Sequence, residues 1–378
     1  MRLSTDRILV THVGSLPRPD ALAAQLRAGI EGSRLPAEML DAAVDSAIAS
    51  QIEAGIDIVS DGEMSKASYA TYVTRRLAGF SGEAPQRVPA YLDDFPEFRD
   101  RLYSGGQLGL PCACCTGPVV PLGLAELQAD LDRLRPALAR HNVAEAFVTA
   151  ASPGIIAGYQ PNRFYPGHTA YLEALAEAMR LEYQAIIAAG LLLQIDCPDL
   201  AASRHTAALG LSDAEFLQRI GLHIEILNHA LRDLPPERMR LHVCWGNTES
   251  PHHRDVELRK IIGELLRVRP MALLIESANP RHAHEWQVFE TVQLPDDKIL
   301  VPGVIDTTTN FIEHPELVAE RLVRFAHLVG RERVIAGADC GFDTIGGTGR
   351  VDGRIAWAKL RSLAEGAAIA SGRLWGGR

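Results

Sequence analysis

The chain has 378 residues, 47% of them hydrophobic and 22% charged, and carries a formal net charge of −9, which argues against nucleic acid or an anionic membrane surface as main partner. The opening MRLSTDRILVTHVG holds no long apolar segment or cleavage site, and no run of about 18 apolar residues marks a membrane span. Six Cys in a chain this long are not a disulfide framework, so the expected compartment is the reducing cytoplasm, where Cys serves as ligand, catalytic group or core filler.

In chain order, ILVTHVGS (residues 8–15) is an apolar run ending in Gly and Ser. LPRP breaks it, because Pro cannot continue a central strand. Helical spacing follows in DALAAQLRAGI and in PAEMLDAAVDSAIASQIEAG, with Pro36 placed in a first helical turn. IDIVSDGE (residues 56–63) is a second buried run, closed by Asp61 and Glu63. Residues 64–144 are too long for a simple connection. They are expected to be an insertion after the second strand that roofs the site, as loops after barrel strands do. From residue 145 strands and helices alternate regularly: EAFVTAASPG, a helix ending near Gly190, LLLQIDCP, a helix capped by Ser212, MRLHVCWG, a helix, MALLIESA, a short helix HAHEWQVFE, KILVPGVID, a helix, RVIAGADCG and a last helix.

Strands near residues 8, 57, 146, 191, 240, 272, 299 and 334 predict an α/β protein. Eight such units favour a single (β/α)8 TIM barrel over residues 1–378 rather than an open sheet. No dinucleotide fingerprint or P-loop follows any strand.

In this register the polar residues fall at C-terminal strand ends, the face on which barrels build active sites. His242 and Cys244 in LHVCWGN, Glu276 in LLIESANP and Cys340 in AGADCGF end three separate strands. Thiolate, imidazole and carboxylate are the usual donors to Zn²⁺, so one zinc site is expected there. A His-x-Cys pair suits a strand, where alternate side chains share a face. A lone buried Cys is usually core filler, and Cys112, Cys114, Cys115 and Cys197 read that way. Glu63 and Asp196 form a candidate pair for a substrate ammonium, with Ser15 or nearby N–H groups taking a carboxylate, since each charge leaving water needs a partner. His12, His205, His252, His253, His282 and His284 lie near strand ends, and one of them is a candidate proton carrier.

VTHVGSLPRP, SDGEMSK, LLQIDCPDL, HVCWGN, LIESANPRHAHEW, VPGVIDTTTNFIEHPELVAERL and AGADCGF together resemble the cobalamin-independent methionine synthase superfamily, in its short, single-barrel form. The resemblance covers nearly the whole chain. It implies a (β/α)8 barrel and a zinc held by His242, Cys244, Glu276 and Cys340 that activates a thiol for alkylation. It implies that Ser15 meets the carboxylate of homocysteine, or of a similar thiol, and that Glu63 and Asp196 hold the amino group. Asp306, or a histidine such as His12, is expected to handle the leaving group's proton. Three departures leave the alkyl donor open. Thr308 stands where the long enzymes have a His, Ala151-Ser152-Pro153-Gly154 lacks their Trp, and Cys197 replaces a usual Glu. The related epoxyalkane:coenzyme M transferases resemble the chain in length and in their His-x-Cys and Cys ligands, which makes epoxide opening by a zinc-activated thiol the alternative. A metal-storage barrel is the non-enzymatic reading. Whether the chain forms a homo-oligomer is left open.

Overall fold

The structure is a computed structural model that describes residues 1–84, 88–104, 112–347 and 349–376. Parts of the expected insertion, 85–87 and 105–111, lie outside the described residues. β1 (Leu9–Val10) leads through α1 (Asp20–Arg27) and α2 (Ala37–Glu53) to β2 (Ile58–Ser60). β3 (Leu77–Ser81), α3 (Pro96–Ser104), β4 (Cys114–Pro121) and α4 (Ala125–Arg140) fill the interval before β5 (Glu145–Ala151). Next come α5 (Pro153–Tyr159), α6 (His168–Ala188), β6 (Leu192–Asp196), α7 (Asp213–Ala230) and β7 (Met239–His242). α8 (Leu258–Leu265), β8 (Ala272–Ile275), β9 (Ile299–Ile305), α9 (Pro315–Val329), β10 (Ile335–Ala338) and α10 (Gly353–Trp375) complete the chain.

Eight strands run parallel in the order β1-β10-β9-β8-β7-β6-β5-β2. A parallel bridge between Thr11 and Ile58 brings the two ends of that sheet together. The result is the expected (β/α)8 barrel, nearly closed. β3 and β4 pair antiparallel in a separate two-stranded sheet, and α4 packs on α2 in the helical layer. The short helix expected near residue 285 is a 3₁₀ helix, Glu285–Glu290.

Side-chain alternation explains both faces of the barrel wall. Leu9, Ile58, Phe147, Leu192, Ala272, Leu274, Ile299, Val301 and Ile335 pack together inside it. Ile8, Val10, Val59, Val148, Leu193 and Leu273 pack outward with the helices. Arg240 lies on the inward face of β7, fully buried, with its guanidinium 4.0 Å over the Phe147 ring. It donates to Thr11 Oγ1 (2.9 Å) and to the His12 carbonyl (2.5 Å), tying β7 to β1 across the barrel.

Local signals behave as their chemistry dictates. Ser212 caps α7 and forms a reciprocal capping box with Glu215. Gly190 follows α6 at φ +83, a conformation that costs Gly little. Pro36 sits at the cap position of α2, one residue before the first turn in which the sequence placed it.

Candidate active site

His242 is the last residue of β7, and Cys244 follows at the same parity, so both side chains face the barrel mouth. The Val243 N–H bonds to the Leu274 carbonyl at 3.0 Å and keeps this extension against β8. Cys340 follows β10. Among the described residues, the potential ligand atoms of His242, Cys244 and Cys340 form a buried group in which all lie within 4.8 Å of one another. The sulfurs are 3.8 Å apart, far beyond a disulfide bond of about 2.05 Å. Two sulfurs each about 2.3 Å from a tetrahedral zinc would stand about 3.8 Å apart. Both ring nitrogens of His242 are buried without a hydrogen-bond partner, the signature of a ring placed for something other than protein. The donor set therefore fits a zinc ion. Burial pushes the His242 pKa down to about 3, which keeps the ring neutral and able to ligate. The hydrogen bond with Cys340, together with burial, pushes the Cys244 thiol well up. A divalent cation reverses that preference.

Glu276 stands beside this group rather than within it. Its Oε1 accepts from the Trp245 N–H (2.7 Å) and its Oε2 from Asn279 Nδ2 (2.9 Å). Its carboxylate also bonds to the Cys244 thiol, and burial pushes its pKa well up. Asp339, next to Cys340, accepts from the N–H groups of Ser277 (2.8 Å), Ala278 (2.9 Å) and Asn279 (2.8 Å). A Cβ at Gly303 would overlap Asp339, so Gly is what lets that carboxylate sit there.

Ser15, Glu63 and Asp196 line the same cavity of about 640 Å³ as His242, Cys244 and Cys340. Glu63 is buried in a left-handed conformation, φ +58, which aims it inward from the β2 end. Its Oε1 accepts from Thr149 Oγ1 (2.8 Å), and its Oε2 is buried without a partner. Lys66 donates to the Thr149 carbonyl (2.6 Å) and hydroxyl (3.0 Å), orienting that hydroxyl toward Glu63. Asp196 accepts from Gln194 Nε2 at 2.8 Å. Burial, then the charge of Glu63, push its pKa up to about 8. The Ser15 hydroxyl accepts from the Asp343 N–H at 3.3 Å, and Arg18 pairs with Asp343 at 2.9 Å to fasten this loop.

The two residues expected to move a proton lie elsewhere. Asp306 is not among the residues lining the cavity, although its neighbour Thr307 is. Its carboxylate accepts from the N–H and hydroxyl of Thr308 (both 2.9 Å) and of Thr309 (3.1 and 2.7 Å), closing its own turn. His12 also lies outside the lining and bonds to Gln51 of α2 at 2.8 Å.

Two polar networks were not singled out by sequence reasoning. Ser152 donates to Asp199 (2.5 Å), which holds His223 Nδ1 (2.8 Å), whose Nε2 meets His168 (2.9 Å). Gly154 makes room for it, since a Cβ there would overlap Asp199 and His223. The other gathers His205, His252 and His282 around Asp255. The only sequence signal was the density of His after the strands.

Comparison with known proteins agrees with this geometry. Residues 167–352 match the family described as cobalamin-independent synthase, catalytic domain. The methionine synthase of Saccharolobus solfataricus is 23% identical over 373 residues, covering 95% of this chain and 93% of that protein. The methionine synthase of Thermococcus kodakarensis is 26% identical over 366 residues, covering 94% and 91%. The structure of a B12-independent methionine synthase from a Shewanella species, in complex with selenomethionine, aligns with a TM-score of 0.72 at 19% identity, covering 98% of this chain and 99% of that one. Residues 167–352 thus carry the catalytic domain of the cobalamin-independent methionine synthase superfamily, and nearly the whole chain is similar to methionine synthases.

Proposed function

We propose that the protein is a zinc-dependent thiol alkyltransferase that methylates homocysteine or a similar thiol. The observation that carries this reading is the shared cavity. It is lined both by a His242 ring with two unpartnered nitrogens beside two thiols and by Glu63, one of whose carboxylate oxygens is unpartnered. His242, Cys244 and Cys340 would hold the metal, with Glu276 as fourth ligand on a carboxylate shift away from Asn279. Zinc bound there would supply thiol acidity, so that a substrate sulfur is ionised at neutral pH.

The protein's own groups do the rest. Glu63 and Asp196 pair with the substrate ammonium, and Ser15 with its carboxylate, which together orient the sulfur toward His242, Cys244 and Cys340. Relatives bearing the name methionine synthase, and a related structure holding selenomethionine, support the same substrate class. A sulfonate-bearing thiol, as epoxyalkane:coenzyme M transfer requires, would meet two carboxylates at the position of its anion. Cys114, Cys115, Cys197, Cys244 and Cys340 are free thiols, which suits a reducing cytoplasm, and among the described residues no helix is long and apolar enough to cross a membrane.

The test is to incubate zinc-loaded protein with homocysteine and candidate methyl or epoxide donors and follow thioether formation by mass spectrometry. Thioether should form and should stop when zinc is chelated. Alkylation that continues at the same rate after chelation would overturn the reading.

A further inference from the structure

The turn after Cys244 spends its polar groups on the proposed ligand set. The Trp245 N–H donates to Glu276 Oε1 at 2.7 Å, and the next N–H, that of Gly246, donates to the Cys244 sulfur at 3.3 Å. Asn247 Nδ2 donates to the Gly341 carbonyl (2.8 Å), beside Cys340, and Asn247 Oδ1 accepts from Thr307 (3.1 Å). Gly246 stands at φ +124, which residues with a side chain rarely adopt, and a Cβ there would lie 3.2 Å from His252 Cε1. Successive N–H groups in a turn act as fixed positive dipoles toward negative charge.

The histidines around Asp255 brace this turn. Trp245 is fully buried, donates from Nε1 to the Val256 carbonyl (2.6 Å), and packs its ring 4.6 Å from that of His282. His282 spends its nitrogens on Glu285 (2.7 Å) and Asp255 (3.1 Å). The same Asp255 oxygen meets His252 Nδ1 at 2.7 Å, and His252 Nε2 meets the Thr248 carbonyl at 3.0 Å. Both rings are thereby fixed against Trp245 and Gly246, and the turn keeps one conformation. The density of histidines in this part of the sequence thus has a use that involves no proton transfer.

The two sulfurs of the group are treated differently. Cys244 is 5% exposed and Cys340 6%, so access to them is alike. Yet the Cys244 sulfur accepts the Gly246 N–H, whereas among the described residues no backbone N–H is bonded to the Cys340 sulfur. We infer that the Trp245–Gly246 turn makes the two thiolates unequal: the Gly246 N–H holds charge on Cys244, and Cys340 is left as the stronger donor and the more nucleophilic sulfur. This rests on the metal site proposed above. A hydrogen bond to an anionic acceptor stabilises the charge where it sits and makes it less available to a cation or an electrophile. Gly246 acts through Cys244 and is a positioning residue, and His252 and Asp255 act one step further back.

The experiment uses the full-length protein. Loaded with ¹¹³Cd and labelled with ¹⁵N-glycine, it should show a scalar coupling between the metal and the Gly246 amide proton, carried across the N–H···S bond. In the zinc-loaded protein treated with iodoacetamide, peptide mass mapping should find Cys340 modified about five-fold or more faster than Cys244. Gly246→Ala should bring the two rates within about two-fold of each other, since an Ala at this φ turns the N–H away. It should also move the sulfur-to-metal charge-transfer band of the cobalt-substituted protein to longer wavelength, a shift that a purely structural loss would not give. Bound cadmium with no coupling at Gly246, or Cys244 reacting as fast as Cys340 in the wild type, would overturn the inference alone. Both of these measurements stand on the wild-type protein, whatever the folding of the variant. A chain that binds neither cadmium nor zinc overturns the metal site itself, and this inference with it.

Discussion

Asp339 Oδ1 accepts the Ser277 N–H at 2.8 Å, which joins the end of β10 to the end of β8. Each end carries a residue of the proposed ligand set, Cys340 of the buried group on one and Glu276, which stands beside that group, on the other. The bond therefore fixes the separation of two donors that are far apart in sequence. Asp339→Asn would turn an amide N–H toward the backbone N–H groups it now accepts. We expect zinc affinity to fall about 10–100-fold, as when groups supporting metal ligands are removed. Competition with a chromogenic chelator measures this, and unchanged affinity would assign Asp339 a purely structural part.

Cys244→Ser and Cys340→Ser should each lose about one bound zinc per chain, since thiolate donors are what give this site its preference. Cys197→Ser is the control. Cys197 is buried after β6 and is outside the ligand group, so that variant should keep its metal. Metal analysis by mass spectrometry after gel filtration reads all three.

Asp196 gives substrate binding a pH signature. With its pKa pushed to about 8, it is mostly protonated at neutral pH in the free protein. An ammonium bound beside it stabilises the carboxylate and lowers that pKa. Binding should then release close to one proton from this group at pH 7, beyond the thiol's own, and the release should fade as pH rises past about 8. Calorimetry in buffers of different ionisation enthalpy counts it. Asp196→Asn should remove that proton and weaken homocysteine binding, and an unchanged proton count would refute the pairing.

Acid stability follows from His12. Burial lowers its pKa from 6.5 to about 3 in the folded chain. Between those values the unfolded chain binds the proton and the folded one does not, so stability falls as pH drops through that window and is regained as pH rises above it. This group alone contributes a slope of up to about 1.4 kcal/mol per pH unit. His12→Gln should flatten the pH dependence of urea unfolding by about that slope, even though losing the Gln51 bond lowers stability at neutral pH.

The barrel was legible because each buried strand is a short apolar run closed by a polar residue, as in LLLQID and MRLHVC. The cluster of His242, Cys244 and Cys340 was legible for the same reason: His242 and Cys244 carry the period of a strand in plain sight. Asp306 was placed at the reacting centre because it ends a strand, but Thr308 and Thr309 lie within reach of its carboxylate and claim it locally. His205 and Asp255 are fifty residues apart, and no periodicity links a 3₁₀ turn after β6 to the loop after β7. The Ser152–Asp199–His223–His168 chain likewise depends on three helices and a strand meeting, with Gly154 as its only local mark.

The closure between β1 and β2 rests on the Thr11–Ile58 bridge, the Asp57 N–H on the Val10 carbonyl, the Val10 N–H on the Asp57 carboxylate and the Thr11 hydroxyl on the Ile58 carbonyl, two of them side-chain bonds rather than ladder bonds. Ser15 and Glu63 hang directly beyond it, whereas His242 and Cys244 extend strands laddered on both sides. Amide exchange should therefore be faster beside Ser15 and Glu63 than beside His242 and Cys244. On the proposed reading, the amino-acid side of the cavity is then the side free to yield, and the side of His242 and Cys244 the one that keeps its shape.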